Sequence, residues 1–312
     1  MVRLLFCMCF FVIQLTRAQT ITFDDYKRKA DACFKTADYA CAKQNYERAL
    51  RIRNEEPYCK AQLQKTLKAI ARKNSGPVTP NEIPVAKKTT MGKSTTVEFV
   101  LIKGGTFQMG DDKGAVDEKP VHTVTLADFH VSTKEVTVAQ FQSYCKATGK
   151  PMPSTPNWGW QDNHPVVGVS WEEAVSYCDW LAKQDGKKYR LLTEAEWEYA
   201  ACGGPLKTTV STEETGWYAG NTDAASTKPV GTKKANAFGL YDMGGNAAEW
   251  CADWYGREYY ANSPATNPLG APQGTRRVVR GRAFGDDPKP LTFRYNLPPK
   301  NRNITVGFRV GY

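Results

Sequence analysis

The chain has 312 residues, of which 41% are hydrophobic and 12% aromatic. This composition excludes an intrinsically disordered protein and suffices for two ordinary domains or one large domain. The formal net charge of +10 suits an anionic partner such as an acidic glycan, or serves solubility alone. Nucleic acid is not an expected partner, because the sequence has no RNA-binding aromatic signature and begins with an export signal.

The N-terminus has the three parts of a secretory signal peptide. Arg3 gives a basic start, residues 4–15 form an apolar run, and Ala18 is a small residue at the cleavage position. Residues 1–18 are therefore predicted to be a signal peptide, and the mature chain is expected in the periplasm, on the cell surface or outside the cell. An anchor or lipid at Cys7 or Cys9 is the less favoured alternative, and no transmembrane segment is expected.

Seven cysteines follow the predicted cleavage site. Export permits disulfides, and the odd number leaves at least one thiol outside any intramolecular pair. Cys33 and Cys41 fall on two neighbouring predicted helices and could form a bridge, although the sequence does not fix the pairing. No CxxC motif and no Cys/His spacing suited to zinc occurs.

Residues 19–74 are predicted to form a small all-helical segment. Apolar residues recur there at helical spacing, for example at Ala42, Tyr46 and Ala49. The order of small, aromatic and acidic residues resembles one tetratricopeptide repeat followed by a capping helix. A single repeat cannot bury both faces, so we expect it to pack on a partner, on the next domain or on a second copy, giving self-association. A plain helical hairpin without a recognition role is an equal alternative.

Residues 75–96 contain three prolines and no periodic pattern, and they are predicted to be a linker. Residues 97–312 alternate between short strands, helices and long loops. The strands are predicted at Glu98–Ile102, Thr106–Met109 and Pro120–Leu126, and the helices begin after Thr137, Ser170 and Thr193, the last two with capping boxes. This mixture predicts an α+β domain of low regularity.

The stretch from Asn236 to Trp254 combines three glycines with three carboxylates, at Asp242, Glu249 and Asp253. Interleaved carboxylate, amide and main-chain oxygens are the ligands that calcium prefers. On composition alone, the favoured alternative is a turn followed by a short amphipathic helix that buries the tryptophans. Which of the two holds depends on evidence beyond composition.

Nine short motifs in order resemble the sulfatase-modifying factor family, which contains the formylglycine-generating enzymes. They are FVLIKGGTFQMG (99–110), EKPVH (118–122), TKEVT (133–137), HPVVGVSW (164–171), RLLTEAEWEYA (190–200), NAFGLYDM (236–243), GNAAEW (245–250), VRG (279–281) and GFR (307–309). The resemblance covers about residues 97 to 312. It implies an irregular C-type-lectin-like fold, which agrees with the α+β prediction.

The resemblance also implies a chemistry that this chain does not retain. The family's generating enzymes oxidise a sulfatase cysteine with copper bound to a cysteine pair, and thiolates are what copper(I) requires. The corresponding positions here are Asp286 and Leu291, Ala283 replaces a family serine, and Cys251 lies far upstream. The sulfoxide synthases of the family use histidines instead, but the three here, at 122, 130 and 164, are expected to be structural or exposed. Bound copper is therefore not expected.

Structural calcium is the cofactor that the resemblance implies. In relatives one ion is held at positions that correspond here to Asp242, Gly245, Ala247 and Glu249, and a second, shortened loop offers Asn221. The segment differs from the family at Ala248, where tryptophan is usual. A family disulfide position is also occupied by Val310, which leaves the pairing of the matching cysteines open.

Two hypotheses follow for function. The first is an exported, non-catalytic binding or scaffold protein of the bacterial cell envelope, with a protein or glycan partner. Its degenerate reaction cleft would then be a binding pocket lined by Trp158, Trp160, Arg282, Phe284, Asp286, Asp287, Arg294 and Tyr295. The alternative is a metal-dependent oxidoreductase of the same family with other ligands, such as Asp286 with a histidine, or with its thiol supplied by Cys251.

Overall fold

The computed structural model describes residues 22–53, 56–74, 87–89, 96–205, 214–222 and 225–312. The predicted signal peptide lies outside these ranges. The chain divides into two compact units, Met1–Asn81 and Glu82–Tyr312. Within the described ranges, every helix is too short or too polar to span a bilayer.

The N-terminal unit consists of the three predicted helices, α1 (Phe23–Lys35), α2 (Tyr39–Ile52) and α3 (Pro57–Asn74). The α1 helix begins with a capping box in which Thr22 and Asp25 satisfy each other's main-chain amides. A small apolar core of Phe23, Tyr46 and Cys59 with three alanines holds the helices together. A disulfide joins Cys33 to Cys41 and so links α1 to α2. The resemblance to a tetratricopeptide repeat stays a prediction.

The C-terminal unit is an α+β domain, as predicted, and its described strands form three small sheets. Its strands are β1 (Lys87–Thr89), β2 (Val97–Ile102), β3 (Gly105–Met109), β4 (His122–Leu126), β5 (Phe129–Ser132), β6 (Ala248–Trp254), β7 (Arg277–Arg280), β8 (Arg294–Leu297) and β9 (Val306–Gly307). The sheet orders are β1-β2-β5, β3-β4 and β8-β7-β6-β9, and all pairs are antiparallel except β6 with β9. The strands β2 and β3 follow each other in sequence but belong to different sheets.

The described α-helices of this unit are α4 (Val138–Thr148), α5 (Trp171–Asp185), α6 (Glu194–Ala201) and the short α7 (Ala219–Thr222). The first three begin where the sequence predicts, and α7 was not predicted. Thr137, Ser170 and Thr193 each cap a helix, and the residue three positions later completes a capping box. Gly149 and Gly186 end α4 and α5 in the left-handed conformation that glycine adopts without strain.

The four-stranded sheet separates two apolar cores. Trp250 and Val279 belong to one core, which also contains α4 and α5 residues. Cys251 and Val278, the next residues along their strands, belong to the other core with α6. Because side chains alternate between the faces of a strand, the sheet is buried on both sides. Because the four-stranded sheet is packed on both sides, the loops that join its strands and the polar side chains next to it have fixed positions.

Two sequence predictions are corrected by these elements. The predicted linker contains β1, whose three residues pair with Val97–Phe99 of β2. The residues after Gly245 form β6 and not an amphipathic helix. A strand between two neighbours that is buried on both faces shows no alternation of apolar and polar residues, which is why the sequence pattern did not identify it.

Candidate functional site

The loop between β7 and β8 holds both positions at which the family's copper-binding cysteines are expected, Asp286 and Leu291. Gly281 begins the loop with a φ of 76°, and a Cβ there would lie 3.2 Å from the Trp197 ring. The loop is then tied to the rest of the domain by main-chain bonds. Phe284 N–H donates to the Asn246 carbonyl at 2.9 Å, and the Phe284 carbonyl accepts from the Thr222 hydroxyl at 2.8 Å.

Asp286 and Leu291 occupy different environments in this region. The Asp286 carboxylate accepts from the Ala283 N–H at 3.0 Å and lies 3.3 Å from the Arg282 guanidinium. Leu291 is buried in the core beneath the sheet, and its carbonyl accepts from Arg280. Asp286 is thus an ion-paired turn residue, and Leu291 is a core residue. Neither supplies a soft ligand.

Two of the predicted pocket aromatics meet at this loop. The Trp158 ring packs edge-to-face on Phe284 with 5.2 Å between centroids. Phe284 itself is buried, whereas Trp158 is half-buried. The Arg282 guanidinium lies over the Phe293 ring at 4.9 Å, and Asp287 is exposed. We call Trp158, Arg282, Phe284, Asp286 and Asp287 the loop surface.

Three other predicted pocket residues are placed differently. Trp160 is half-buried against the first core. Tyr295 is 41% exposed and lies on the side of β8 opposite to Arg294. The prediction that Arg294 lines a surface pocket is wrong, because its guanidinium is buried and bonds both oxygens of Glu194 at 2.6 and 2.8 Å.

Arg294 belongs to a buried ionic network under the sheet. Arg280 contacts Glu194 at 2.9 Å and Glu198 at 2.8 Å, and all three side chains are almost completely buried. Glu194 and Glu198 are four residues apart and so share one face of α6. Asp253 accepts from the Glu194 N–H at 2.8 Å, and burial together with the Glu194 charge raises the pKa of Asp253 to about 8. The network fixes α6 against β7 and β8.

A second buried cluster occupies the turn before β6, where calcium is predicted. Both Glu249 oxygens contact the Arg309 guanidinium, at 2.7 to 2.9 Å. Glu135 accepts from the Ala247 N–H at 2.9 Å and from the Asn246 side chain at 3.0 Å. Burial and the charges of Asp242 and Glu249 raise the pKa of Glu135 well above its usual value. Glu249 thus pairs with the Arg309 guanidinium, whose charge also acts on Glu135 and Asp242.

Asp242 keeps an oxygen that a cation would contact. Its Oδ2 accepts from the Gly231 N–H at 2.7 Å, while its Oδ1 is buried with no hydrogen-bond partner among the described residues. Burial raises the pKa of Asp242 to about 6. Glu249 would have to leave Arg309 to bind the same ion, and no group of three or more ligating His, Cys, Asp or Glu side chains occurs within the described ranges. Calcium at this turn therefore stays a prediction.

Asn221, predicted for a second ion, is used within its own turn. Its side-chain oxygen accepts from the Tyr218 N–H at 2.8 Å, and its amide nitrogen donates to the Gly216 carbonyl at 3.1 Å. This arrangement fixes the start of α7. Asn221 would therefore have to give up a local hydrogen bond to bind a metal ion.

The histidines contact three different sets of neighbours. His122 lies against Tyr260, His130 stacks on Tyr312, and His164 is bonded to Thr227. Five further cysteines lie within the described ranges outside the disulfide, and all five are buried: Cys59, Cys145, Cys178, Cys202 and Cys251. Burial raises the pKa of the Cys145, Cys178 and Cys251 thiols. These thiols are held in the unreactive protonated form.

Sequence reasoning missed most of the buried charged residues. Arg309 and Glu249 lie within two of the motifs that marked the family, but nothing in either motif indicates that the two side chains form an ion pair. Glu194 and Glu198 did offer a signal, since two glutamates at helical spacing flank a tryptophan. Their burial against Arg280 and Arg294 depends on how α6 packs on β7 and β8, which the sequence pattern does not indicate.

Comparison with known proteins identifies the domain. The family described as the sulfatase-modifying factor enzyme 1-like domain matches residues 85–311. The serine/threonine-protein kinase Pkn1 of Chlamydia trachomatis is 35% identical over 259 residues, which cover 75% of this chain and 41% of the relative. The chain thus spans less than half the length of that relative. The formylglycine-generating enzyme of Streptomyces coelicolor is 33% identical over 257 residues, covering 59% of this chain and 78% of the enzyme.

Solved structures agree with this assignment. PvdO from Pseudomonas aeruginosa is similar with a TM-score of 0.65 and 30% identity, covering 72% of this chain and 97% of PvdO. Treponema denticola variable protein 1 has a TM-score of 0.64 and 27% identity, covering 73% of this chain and 99% of that protein. Both alignments span nearly the whole of the similar structure.

Proposed function

The chain belongs to the sulfatase-modifying factor family, and on that premise we propose that it is an exported, non-catalytic binding protein of the bacterial cell envelope. The observation that supports this most is the replacement of the copper-binding cysteine pair. Asp286 is held by Arg282 and the Ala283 N–H, and Leu291 fills the core. An oxygen donor and a hydrocarbon side chain cannot hold copper(I), so the family's oxidation has no metal site here.

The other cysteines do not replace the missing pair. Cys251 lies in the core beneath the sheet, and burial together with the nearby Asp253 charge raises the pKa of its thiol well above the usual value. A thiolate is needed both for copper binding and for nucleophilic attack. A solvent-facing thiol that could take over the reaction is therefore lacking among the described residues.

The loop surface is the proposed binding region. It offers an edge of the Trp158–Phe284 pair beside the partly exposed Arg282 and Asp286 side chains. Aromatic and arginine side chains with a few fixed polar partners are enriched where proteins bind one another. Residues 96–312 contain 24 basic and 24 acidic residues. Recognition here would thus depend on shape and local contacts more than on net charge.

A structural calcium ion at Asp242 is part of the same proposal. The Asp242 Oδ1, which is buried with no hydrogen-bond partner among the described residues, favours a bound cation. We expect added calcium to raise the melting temperature of the purified protein and a chelator to lower it. The Asp242→Asn variant should lose this response. If the chelator leaves the wild-type melting temperature unchanged, Arg309 alone balances the charge and the calcium proposal is wrong.

An assay of aldehyde formation tests the loss of catalysis. The purified protein is incubated with copper(I), oxygen and a cysteine-containing sulfatase peptide, beside the Streptomyces coelicolor formylglycine-generating enzyme as positive control. We expect no change in peptide mass with this protein. A peptide that gains the aldehyde in its presence would refute the proposal.

A binding assay tests the role of the loop surface. The protein and its Trp158→Ala/Arg282→Ala variant are compared for capture of crosslinked envelope components. Leu269→Ala, which removes a 74% exposed side chain on a separate loop, is the matched control. We expect the double variant to lose a specific crosslinked product that the control retains. Equal capture by all three proteins would place the binding region elsewhere.

A further inference from the structure

Arg277, the first residue of β7, lies between two tryptophans. The central carbon of its guanidinium is 3.4 Å from the centre of the Trp254 ring and 3.7 Å from the centre of the Trp171 ring. All three side chains are half-buried. A cation between two indole faces is held by the electrostatic attraction of the rings. We call Trp171, Arg277 and Trp254 the arginine stack.

Contacts with the main chain fix the arginine stack in place. Trp254 is opposite Arg277 in the β6–β7 ladder, and the Trp171 indole N–H donates to the Cys251 carbonyl at 2.8 Å. The Arg277 Nη1 donates to the Ala252 carbonyl at 2.7 Å. Because the guanidinium is planar, these contacts also set the direction of its remaining N–H groups.

The Nε–Nη2 edge of the Arg277 guanidinium is unused. Its Nε is buried without a hydrogen bond, and its Nη2 has no partner among the described residues either. The same edge of Arg294, Arg302 and Arg309 binds both oxygens of a glutamate, at 2.6 to 3.0 Å. A buried donor without an acceptor destabilises the fold, so the bare edge of Arg277 needs an explanation.

The charge of Arg277 is also uncompensated. No carboxylate oxygen in the described part of the chain lies within 4.0 Å of this guanidinium. Asp253 extends from the other face of β6, and burial raises its own pKa to about 8, so it is protonated at neutral pH. Burial lowers the pKa of Arg277, and Asp253 opposes this shift only in part. A half-buried cation without a counterion favours an anion from outside the chain.

We propose that the arginine stack binds a carboxylate of a partner protein, supplied by a Glu or Asp side chain. The carboxylate accepts from Nη2 and Nε of Arg277, in the side-on geometry that Arg309 uses for Glu249. Between the indoles water competes less for these N–H groups, which strengthens the bond. Arg277 begins β7, whereas the loop surface follows the end of this strand, so the two sites are separate.

The surroundings of Arg277 favour an acidic protein side chain over other anions. One face of each indole is already covered by the guanidinium, which leaves less aromatic surface on which a sugar ring or a base could stack. Tyr295, which is 41% exposed, lies on the same face of the sheet as Arg277, because it pairs with Val279 two residues along β7. Tryptophan, tyrosine and arginine are the residues that dominate binding at protein interfaces.

Nuclear magnetic resonance of the full-length protein without its predicted signal peptide tests the proposal. Triple-resonance experiments assign the Nε–H signals of Arg277 and of its exposed neighbour Arg276 in the wild type. The probes are a capped peptide with two glutamates spaced by glycine and the same peptide with glutamine at both positions. We expect the glutamate peptide to shift the Arg277 signal in a saturable manner. The glutamine peptide should leave this signal unchanged.

Fluorescence anisotropy of the labelled glutamate peptide measures what the arginine contributes. Arg277→Lys keeps the charge but removes the planar edge, so we expect binding to weaken about 10-fold to 100-fold. The matched control is Arg276→Lys, which changes an exposed arginine whose side chain bonds Asn296. This control should bind the peptide as the wild type does. Melting temperatures show whether both variants fold.

Three results would overturn the proposal. The first is an Arg277 signal that does not move with the glutamate peptide, or that moves equally with both peptides. The second is an equal loss of affinity in Arg277→Lys and Arg276→Lys. The third is a shift of the Arg277 signal by polygalacturonate but not by the peptide, which would assign the site to an acidic sugar. If Arg277→Lys does not fold, the wild-type titration decides by itself.

Discussion

Arg309 supplies the positive charge for the buried carboxylates of the turn before β6. Its guanidinium contacts Glu249 at 2.7 Å, and each side chain is only 1% exposed. It also donates to the Tyr241 and Ser132 carbonyls. Removal of the guanidinium would leave Glu249 ionised and unpaired beside Glu135 and Asp242, which is costly in a buried site.

We therefore expect Arg309→Met to lower the free energy of unfolding by about 3–5 kcal/mol. The control is Arg302→Met, which breaks a pair with Glu173 in which Arg302 is 58% exposed and should cost less than about 1 kcal/mol. Denaturant titration of both variants measures the difference. An equal loss of unfolding free energy in the two variants would mean that the Arg309–Glu249 ion pair does not stabilise the turn before β6.

Asp253 gives the fold a pH dependence whose sign can be worked out. Burial raises its pKa to about 8 in the folded protein, from an ordinary value of 3.8. The folded state therefore holds this proton more tightly than the unfolded chain does. The resulting stability is fully present below about pH 4 and is lost as the pH rises to about 8.

The Asp253→Asn variant isolates this effect, because the amide oxygen can still accept from the Glu194 N–H and does not titrate. Between about pH 5 and pH 7 the wild type should lose about 1–3 kcal/mol more stability than the variant. Unfolding titrations across this range give the difference. Parallel pH profiles for the two proteins would show that Asp253 is ionised in the folded state.

The Cys33–Cys41 disulfide cross-links the helices α1 and α2 through their side chains. The bridge closes a loop of about 8 residues, which constrains the unfolded chain by about 2–3 kcal/mol. Cys33→Ser/Cys41→Ser should therefore make residues 22–74 more sensitive to protease in the full-length protein. Reductant should do the same to the wild type. Unchanged cleavage rates in both cases would contradict this role.

The elements with local signals were predictable and the others were not. The starts of α5 and α6 followed from Ser170 and Thr193, because a capping box depends on residues only three apart. The strand β6 was not identified, because its burial on both faces is set by β7, β9 and the two cores. Likewise, nothing in residues 75–96 indicated that Lys87–Thr89 would pair with β2.

The candidate site was only partly predictable from the sequence. The absence of the cysteine pair was predictable, because the family resemblance aligns Asp286 and Leu291 with the two cysteine positions. The burial of Arg294 was not predictable, because a shift of one residue along β8 would turn its side chain from Glu194 towards solvent. The distribution of charge, by contrast, follows directly from the sequence, since residues 96–312 contain 24 basic and 24 acidic residues and the net charge lies before them.

We propose that this domain lacks the copper site of its family, and a copper(I) titration can test the proposal. The wild type is compared with Asp286→Cys/Leu291→Cys under reducing conditions, in competition with a chromophoric chelator. We predict that the wild type takes up no tightly bound copper(I), while the double-cysteine variant, with two thiolates in the family's positions, takes up one equivalent. Tight uptake of one equivalent of copper(I) by the wild type would show that the domain retains a copper site.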